Sequence, residues 1–343
     1  MSFVLLGTRQ YLAALRGGRR VLGCIHASGG VASLHAGHSG RPLSARGVVV
    51  VPLPGALLTQ RLYEKARLAD AVGAANGQPV NVDPELGEEA VRSASSMREA
   101  AEIVANGLDV RHHGMPAILM GHSYGGYIAL EVARLWPSRL AGLVLVSSHC
   151  RSDTPGAVAR RAGQVALARK AGLDAMLDKM LPKLVTKRRD GSDGFIAEVR
   201  NMAKAVGVDV YERQMTACAQ RRDQRDTLVH LDPRIPVLAV AGGKDLLIPP
   251  RCASELKSLL EERDAVAGGA ACGPAPWRVV TRADCGHLVP LEQPDAFHDV
   301  VVAWARAAAE WASRAHASDM RRQEPRGASQ SHGSETRRQE PRG

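Results

Sequence analysis

The stretch from Pro116 to Ala133 constrains this chain most. Ala117-Ile118-Leu119-Met120 is a short apolar run that reads as a buried strand. Gly121-His122-Ser123-Tyr124-Gly125 comes next, and then Ile128, Val132 and Leu135 fall on one face of a helix. In a strand, sharp turn and helix, Gly-x-Ser-x-Gly lifts a serine hydroxyl clear of a sheet. Such a turn is strained and needs small neighbours, which Gly121 and Gly125 supply. Tyr124 would offer its backbone N–H at a helix start, where amide donors lack intrahelical partners.

Glycine fills 34 of the 343 positions. One chance Gly-x-Ser-x-Gly is therefore unsurprising, and the motif needs support from elsewhere. The competing reading is a glycine-rich phosphate loop. No Lys-Ser or Lys-Thr comes after the glycines, so there is no Walker A pattern.

The rest of the chain supplies alternating strands and helices. Val48 to Val51 is apolar without polar alternation, as in a strand buried on both faces. It runs into Pro52-Leu53-Pro54-Gly55-Ala56, a tight turn able to present a second backbone donor. A weaker strand is expected at 79–82, a helix at 93–106 and a further buried strand at 143–148. From 150 to 230 helical spacing dominates, with Pro182 expected to stop one helix. Strand spacing returns at Pro236–Ala241 and Trp277–Val280, and an amphipathic helix spans 295–311. The pattern predicts an α/β fold: a mostly parallel sheet flanked by helices, with a helical cap inserted at 150–230.

Charge sits mainly in the tails. Residues 1–46 hold six Arg and no acid, and 314–343 hold seven Arg against four acids. Of the net +10, only about +1 belongs to the residues between them, so no nucleic-acid partner is expected. The first 46 residues read as an unstructured basic extension or a presequence-like segment. The last thirty carry Arg-Arg-Gln-Glu-Pro-Arg-Gly twice and read as disordered. The catalytic domain is thus expected at 47–313. No apolar run reaches the roughly eighteen residues of a membrane span. Six cysteines lack any Cys-x-x-Cys spacing, which suits free thiols in a reducing compartment and no zinc site. The expected location is the cytoplasm, or the mitochondrion if the extension is a presequence. The sequence does not fix an oligomeric state.

A serine hydroxyl needs a base, and the base needs an acid to fix its tautomer. Asp245 comes after the strand ending in Gly242-Gly243, and His287 comes after the strand at 277–280. Both would lie at carboxyl ends of parallel strands, where such sheets place their sites. Asp153 is the alternative acid, farther past its strand.

Gly121 to Gly126, Gly242 to Pro249, and Asp284-Cys285-Gly286-His287 with Glu292-Gln293-Pro294 together resemble the α/β-hydrolase superfamily over roughly 47–313. The resemblance is to small esterases, enol-lactonases and carbon–carbon hydrolases. It implies Ser123 as nucleophile, His287 as base and Asp245 as its orienting acid. Backbone N–H groups of Ala56 and Tyr124 would form the oxyanion hole. Pro54-Gly55 departs from the family's usual His-Gly. The implied activity is cofactor-free and metal-free hydrolysis of a small carboxylic ester or lactone. Carbon–carbon bond hydrolysis and pure ligand binding on the same fold are the alternatives.

Overall fold

The computed structural model describes residues 48–323 apart from Lys65, Gln78, 187–193 and 269–272. The basic extension at 1–46 and the tail beyond Gln323, with the second repeat and most of the first, lie outside the described residues.

Six strands form one sheet: β1 (Val48–Leu53), β2 (Val80–Val82), β3 (Ala117–His122), β4 (Leu140–Val146), β5 (Val237–Gly242) and β6 (Trp277–Arg282). Their order is β2-β1-β3-β4-β5-β6, and every pairing is parallel. Every residue of β3 and β5 is buried. Unbroken apolar runs are what such strands need, because helices cover both faces of a parallel sheet. Parallel register also puts all the carboxyl ends on one edge, so β1, β3, β5 and β6 deliver their outgoing loops to the same side.

The helices are α1 (Arg61–Glu64), α2 (Leu68–Asn76), α3 (Pro84–Ser93), α4 (Met97–His112), α5 (Tyr124–Leu135), α6 (Pro155–Leu184), α7 (Phe195–Val206), α8 (Val208–Gln220), α9 (Arg225–Val229), α10 (Arg251–Ala267), α11 (Val289–Glu292) and α12 (Pro294–Gln323). Between β4 and β5 the described residues form the helices α6 to α9 and no strand. Gly172 (φ 86°, ψ 165°) breaks α6 in two, and α6 runs past Pro182 to end at Leu184. α12 likewise runs past Trp311 to Gln323, so residues 314–323 of the tail expected to be disordered are helical.

The helix expected at 93–106 is α4, which starts four residues later and runs on to His112, and α3 before it was not expected. Asp83 caps α3 by accepting the Leu86 N–H at 2.9 Å, with Pro84 in the first turn. Ala94 is extended, and Ser96 starts α4 by accepting the Glu99 N–H at 3.1 Å. Glu99 accepts the Ser95 N–H in return.

Candidate active site

Ser123 sits at the end of β3 with φ 48° and ψ −108°. A non-glycine residue held there costs on the order of 1–3 kcal/mol. Close approach on three sides enforces the turn. A Cβ on Gly121 would lie 2.4 Å from the Gly125 carbonyl oxygen, and one on Gly125 would lie 2.1 Å from that of Leu53. A Cβ on Gly126 would meet Ser148 Oγ at 2.4 Å. Hydrogen bonds complete the clamp. Ser123 N–H donates to the Val146 carbonyl at 2.8 Å, and Ser148 Oγ donates to the Ser123 carbonyl at 3.0 Å. Ser123 itself stays partly exposed.

Two later loops bring Asp245 to His287. His287 Nδ1 donates to Asp245 Oδ2 at 2.7 Å, with both residues buried. The other carboxylate oxygen, Oδ1, accepts from the backbone N–H groups of Leu247 and Ile248 at 2.8 and 2.9 Å. Three donors thus fix the carboxylate, and the carboxylate fixes the ring with Nε2 as the free position. The His287 loop is itself tied down. Glu292 accepts from Gly286 N–H at 3.0 Å and from Thr186 N–H and Oγ1 at 3.1 and 3.0 Å, while His287 N–H donates to the Leu184 carbonyl.

Asp153 does not join this pair. Its carboxylate is bound to Arg161 and Arg221. Burial opposes its charge, but the two guanidinium groups hold it below the usual carboxylate range. Arg221 also stacks over Tyr127 at 4.1 Å and donates to His149 Nε2. A cavity of about 250 Å³ lies beside this network, and none of Ser123, Asp245 and His287 lines it.

His122 links β3 to the His287 loop. It is fully buried, and Nε2 donates to the His287 carbonyl at 2.9 Å. The two rings meet edge to face, 4.8 Å between centroids. Burial, then the like charge of His287, lowers its pKa to about 3, so the ring is neutral at ordinary pH. Among the described residues its Nδ1 has no hydrogen-bond partner, and it faces Gly55, where a Cβ would lie 2.5 Å away.

Of the expected backbone donors, Ala56 is partly exposed in the loop after β1, and Tyr124 opens α5 with its side chain buried. Neither N–H makes a hydrogen bond to another described residue. Among the described residues no cluster of three His, Cys, Asp or Glu could hold a metal ion, and no helix is long and apolar enough to cross a membrane.

The serine aminopeptidase S33 family, Hydrolase_4, matches residues 70–266, more than half of the chain. The chain belongs to this hydrolase family. Among curated proteins, this α/β-hydrolase is 31% identical over 157 residues to pimeloyl-(acyl-carrier protein) methyl ester esterase of Neisseria meningitidis serogroup C, covering 44% of this chain and 58% of that protein. It is 29% identical over 193 residues to the dihydrolipoyllysine-residue acetyltransferase component of an acetoin cleaving system of Pseudomonas putida, covering 55% of this chain and 45% of that one. The chain spans about half the length of the curated relatives it matches. Among solved structures, a thermophilic esterase of Thermogutta terrifontis superposes with a TM-score of 0.62 at 23% identity, over 76% of this chain and 90% of that one. An enol-lactonase of Burkholderia xenovorans LB400 gives 0.60 at 19% identity, over 77% and 93%. At these identities the two structures share the fold.

Proposed function

We propose that this α/β-hydrolase is a cofactor-free serine hydrolase that cleaves a small carboxylic ester or lactone through an acyl-enzyme. The buried Asp245–His287 pair carries the reading, because it presents an oriented imidazole on the sheet edge that also holds Ser123 in a strained turn. Asp245 keeps the proton on Nδ1, so Nε2 accepts the Ser123 proton as Oγ attacks the substrate carbonyl carbon. The Ala56 and Tyr124 N–H groups, which have no other described partner, receive the developing oxyanion. The imidazolium returns its proton to the leaving alkoxide. The neutral imidazole then takes a proton from a water that attacks the acyl carbon, and returns it to Ser123 Oγ as the acid leaves.

The curated methyl ester esterases support an ester substrate. The catalytic domain is assigned to 47–313, with the insertion at 150–230 shaping substrate choice. The unbridged thiols of Cys150, Cys218 and Cys252 suit a reducing, cytoplasmic setting.

The test is labelling with a fluorophosphonate, then mapping of the adduct and a chain-length series of nitrophenyl esters. The adduct is expected on Ser123. A protein that hydrolyses the esters while Ser123 stays unlabelled would sink the proposal.

A further inference from the structure

Leu57 has a positive φ of 60°. This left-handed backbone is unfavourable for a residue with a Cβ, so something must hold it. Gln214 does. Its Oε1 accepts the Leu57 N–H at 3.1 Å, across 157 residues of sequence. Its Nε2 donates to the Val91 carbonyl, also at 3.1 Å. Gln214 is fully buried, so both bonds form without competition from water. One amide on α8 therefore spans from the last turn of α3 to the loop after β1.

Both ends of that span are firm. α3 lies so close to β1 that a Cβ on Gly87 would sit 1.9 Å from the Pro52 carbonyl oxygen. Gln60 donates to the same oxygen at 2.8 Å, and Glu88 accepts the Gln60 N–H at 2.9 Å. On the insertion side, Arg213 donates to the Arg92 carbonyl and Arg92 donates to the Ala205 carbonyl. The loop between these anchors is short. Leu58 N–H closes back on the Gly55 carbonyl at 3.0 Å, and the neutral His122 ring lies against Gly55. Ala56 sits inside this closed turn, immediately before the residue that Gln214 grips.

We propose that Gln214 is a positioning residue: by gripping Leu57 it aims the Ala56 N–H at the oxyanion, and so ties catalysis to the helical insertion. The proposal rests on the serine-hydrolase reading above. An oxyanion donor acts most strongly on charge that develops in the transition state. Misplacing it should lower kcat and leave KM nearly unchanged.

The experiment compares Gln214→Met with Gln214→Glu in the full chain. Methionine keeps the length but neither donates nor accepts as an amide does. Glutamate keeps an oxygen for the Leu57 N–H. Gln214→Met is expected to lower kcat by about thirtyfold or more with KM within about threefold, and to speed hydrogen exchange in residues 55–58. Gln214→Glu is expected to stay within about fivefold of the parent kcat. Melting curves establish that each variant is folded. A folded Gln214→Met with kcat within about twofold of the parent overturns the proposal. An equal loss in both folded variants overturns it too. If Gln214→Met fails to fold, Gln214→Glu decides alone: within about fivefold supports the role, and a fall beyond about thirtyfold overturns it. Failure of the hydrolase reading would look different, as absence of Ser123-dependent turnover in the unaltered protein.

Discussion

Gly242 stands so close to Gly286 that a Cβ built on it would lie 1.8 Å from the Gly286 carbonyl oxygen and 2.6 Å from that of Cys285. Backbone meets backbone here, and no rotamer change can relieve a crowding of this kind. The approach lets Lys244 N–H donate to the Cys285 carbonyl at 2.9 Å. It also brings Asp245 on one loop within reach of His287 on the other.

Gly242→Ala should therefore separate Asp245 from His287. Turnover of a nitrophenyl ester is expected to fall by about 100-fold or more, because small displacements of catalytic groups are costly. Stability should fall by about 1–3 kcal/mol, read from urea denaturation. A variant equal to the parent in both measurements would mean that the two loops move apart freely.

Ser123→Ala should abolish ester hydrolysis with the fold intact. The loss expected for a triad nucleophile is on the order of 10⁴–10⁶ in turnover. Circular dichroism and melting should match the parent. Wild-type turnover in this variant would end the acyl-enzyme mechanism.

The two candidate acids predict opposite outcomes. Asp245→Asn should lower kcat by about 10²–10⁴-fold, since the amide can favour the wrong histidine tautomer. Asp153→Asn should change kcat by less than about tenfold, because its partners are Arg161 and Arg221. It should instead cost about 2–4 kcal/mol of stability by leaving buried charge unpaired. Kinetics and denaturation of both variants at one pH make the comparison. A severe kcat defect in Asp153→Asn would transfer the acid's role.

His122 makes stability depend on pH. Its folded pKa of about 3 lies below the unfolded value of 6.5. Below pH 6.5 the unfolded chain takes up a proton that the folded protein refuses, so stability falls as pH drops toward 3. The slope from one such group approaches about 1.4 kcal/mol per pH unit. His149, lowered to about 4 by burial and then by Arg221, adds to the same window. His122→Phe should flatten the fall in stability between pH 6 and about pH 4 by roughly that slope. An unchanged slope would show that His122 takes up its proton in the folded state.

The parts of this architecture most legible in sequence are the apolar strands and the residues just beyond their carboxyl ends. Val48–Val51, Ala117–Met120 and Val237–Ala241 are unbroken because parallel strands are covered on both faces. Ser123 follows such a strand directly, Asp245 lies three residues past another, and His287 lies five residues past the half-exposed edge strand β6. α3 was less legible, although Asp83-Pro84 is a helix-start signal and Asp83 does cap it. The break before α4 has a signal too, since Ser96 and Glu99 have capping-box spacing. The apolar spacing through Met97 and Val104 masked it. Gln214 carries a fainter mark. It shares the buried face of α8 with Tyr211, Met215 and Cys218, and a polar residue on such a face must find partners. No local pattern names those partners, which lie on α3 and after β1. Glu292 is similar: the residues it holds lie on its own loop and at the end of α6.

The contacts that assemble the site join distant parts of the chain. Leu57 waits for Gln214, His122 for His287, and Thr186 for Glu292, across separations of 157, 165 and 106 residues. During synthesis the serine turn leaves the ribosome long before the base and the carboxylate that anchors its loop. Long loops must close before these bonds repay their entropy, which slows the final step of folding. A nascent or truncated chain ending before Gly286 holds its serine without a base. On the proposed mechanism, competence for chemistry arrives late, and a chain that ends before His287 is expected to be inactive.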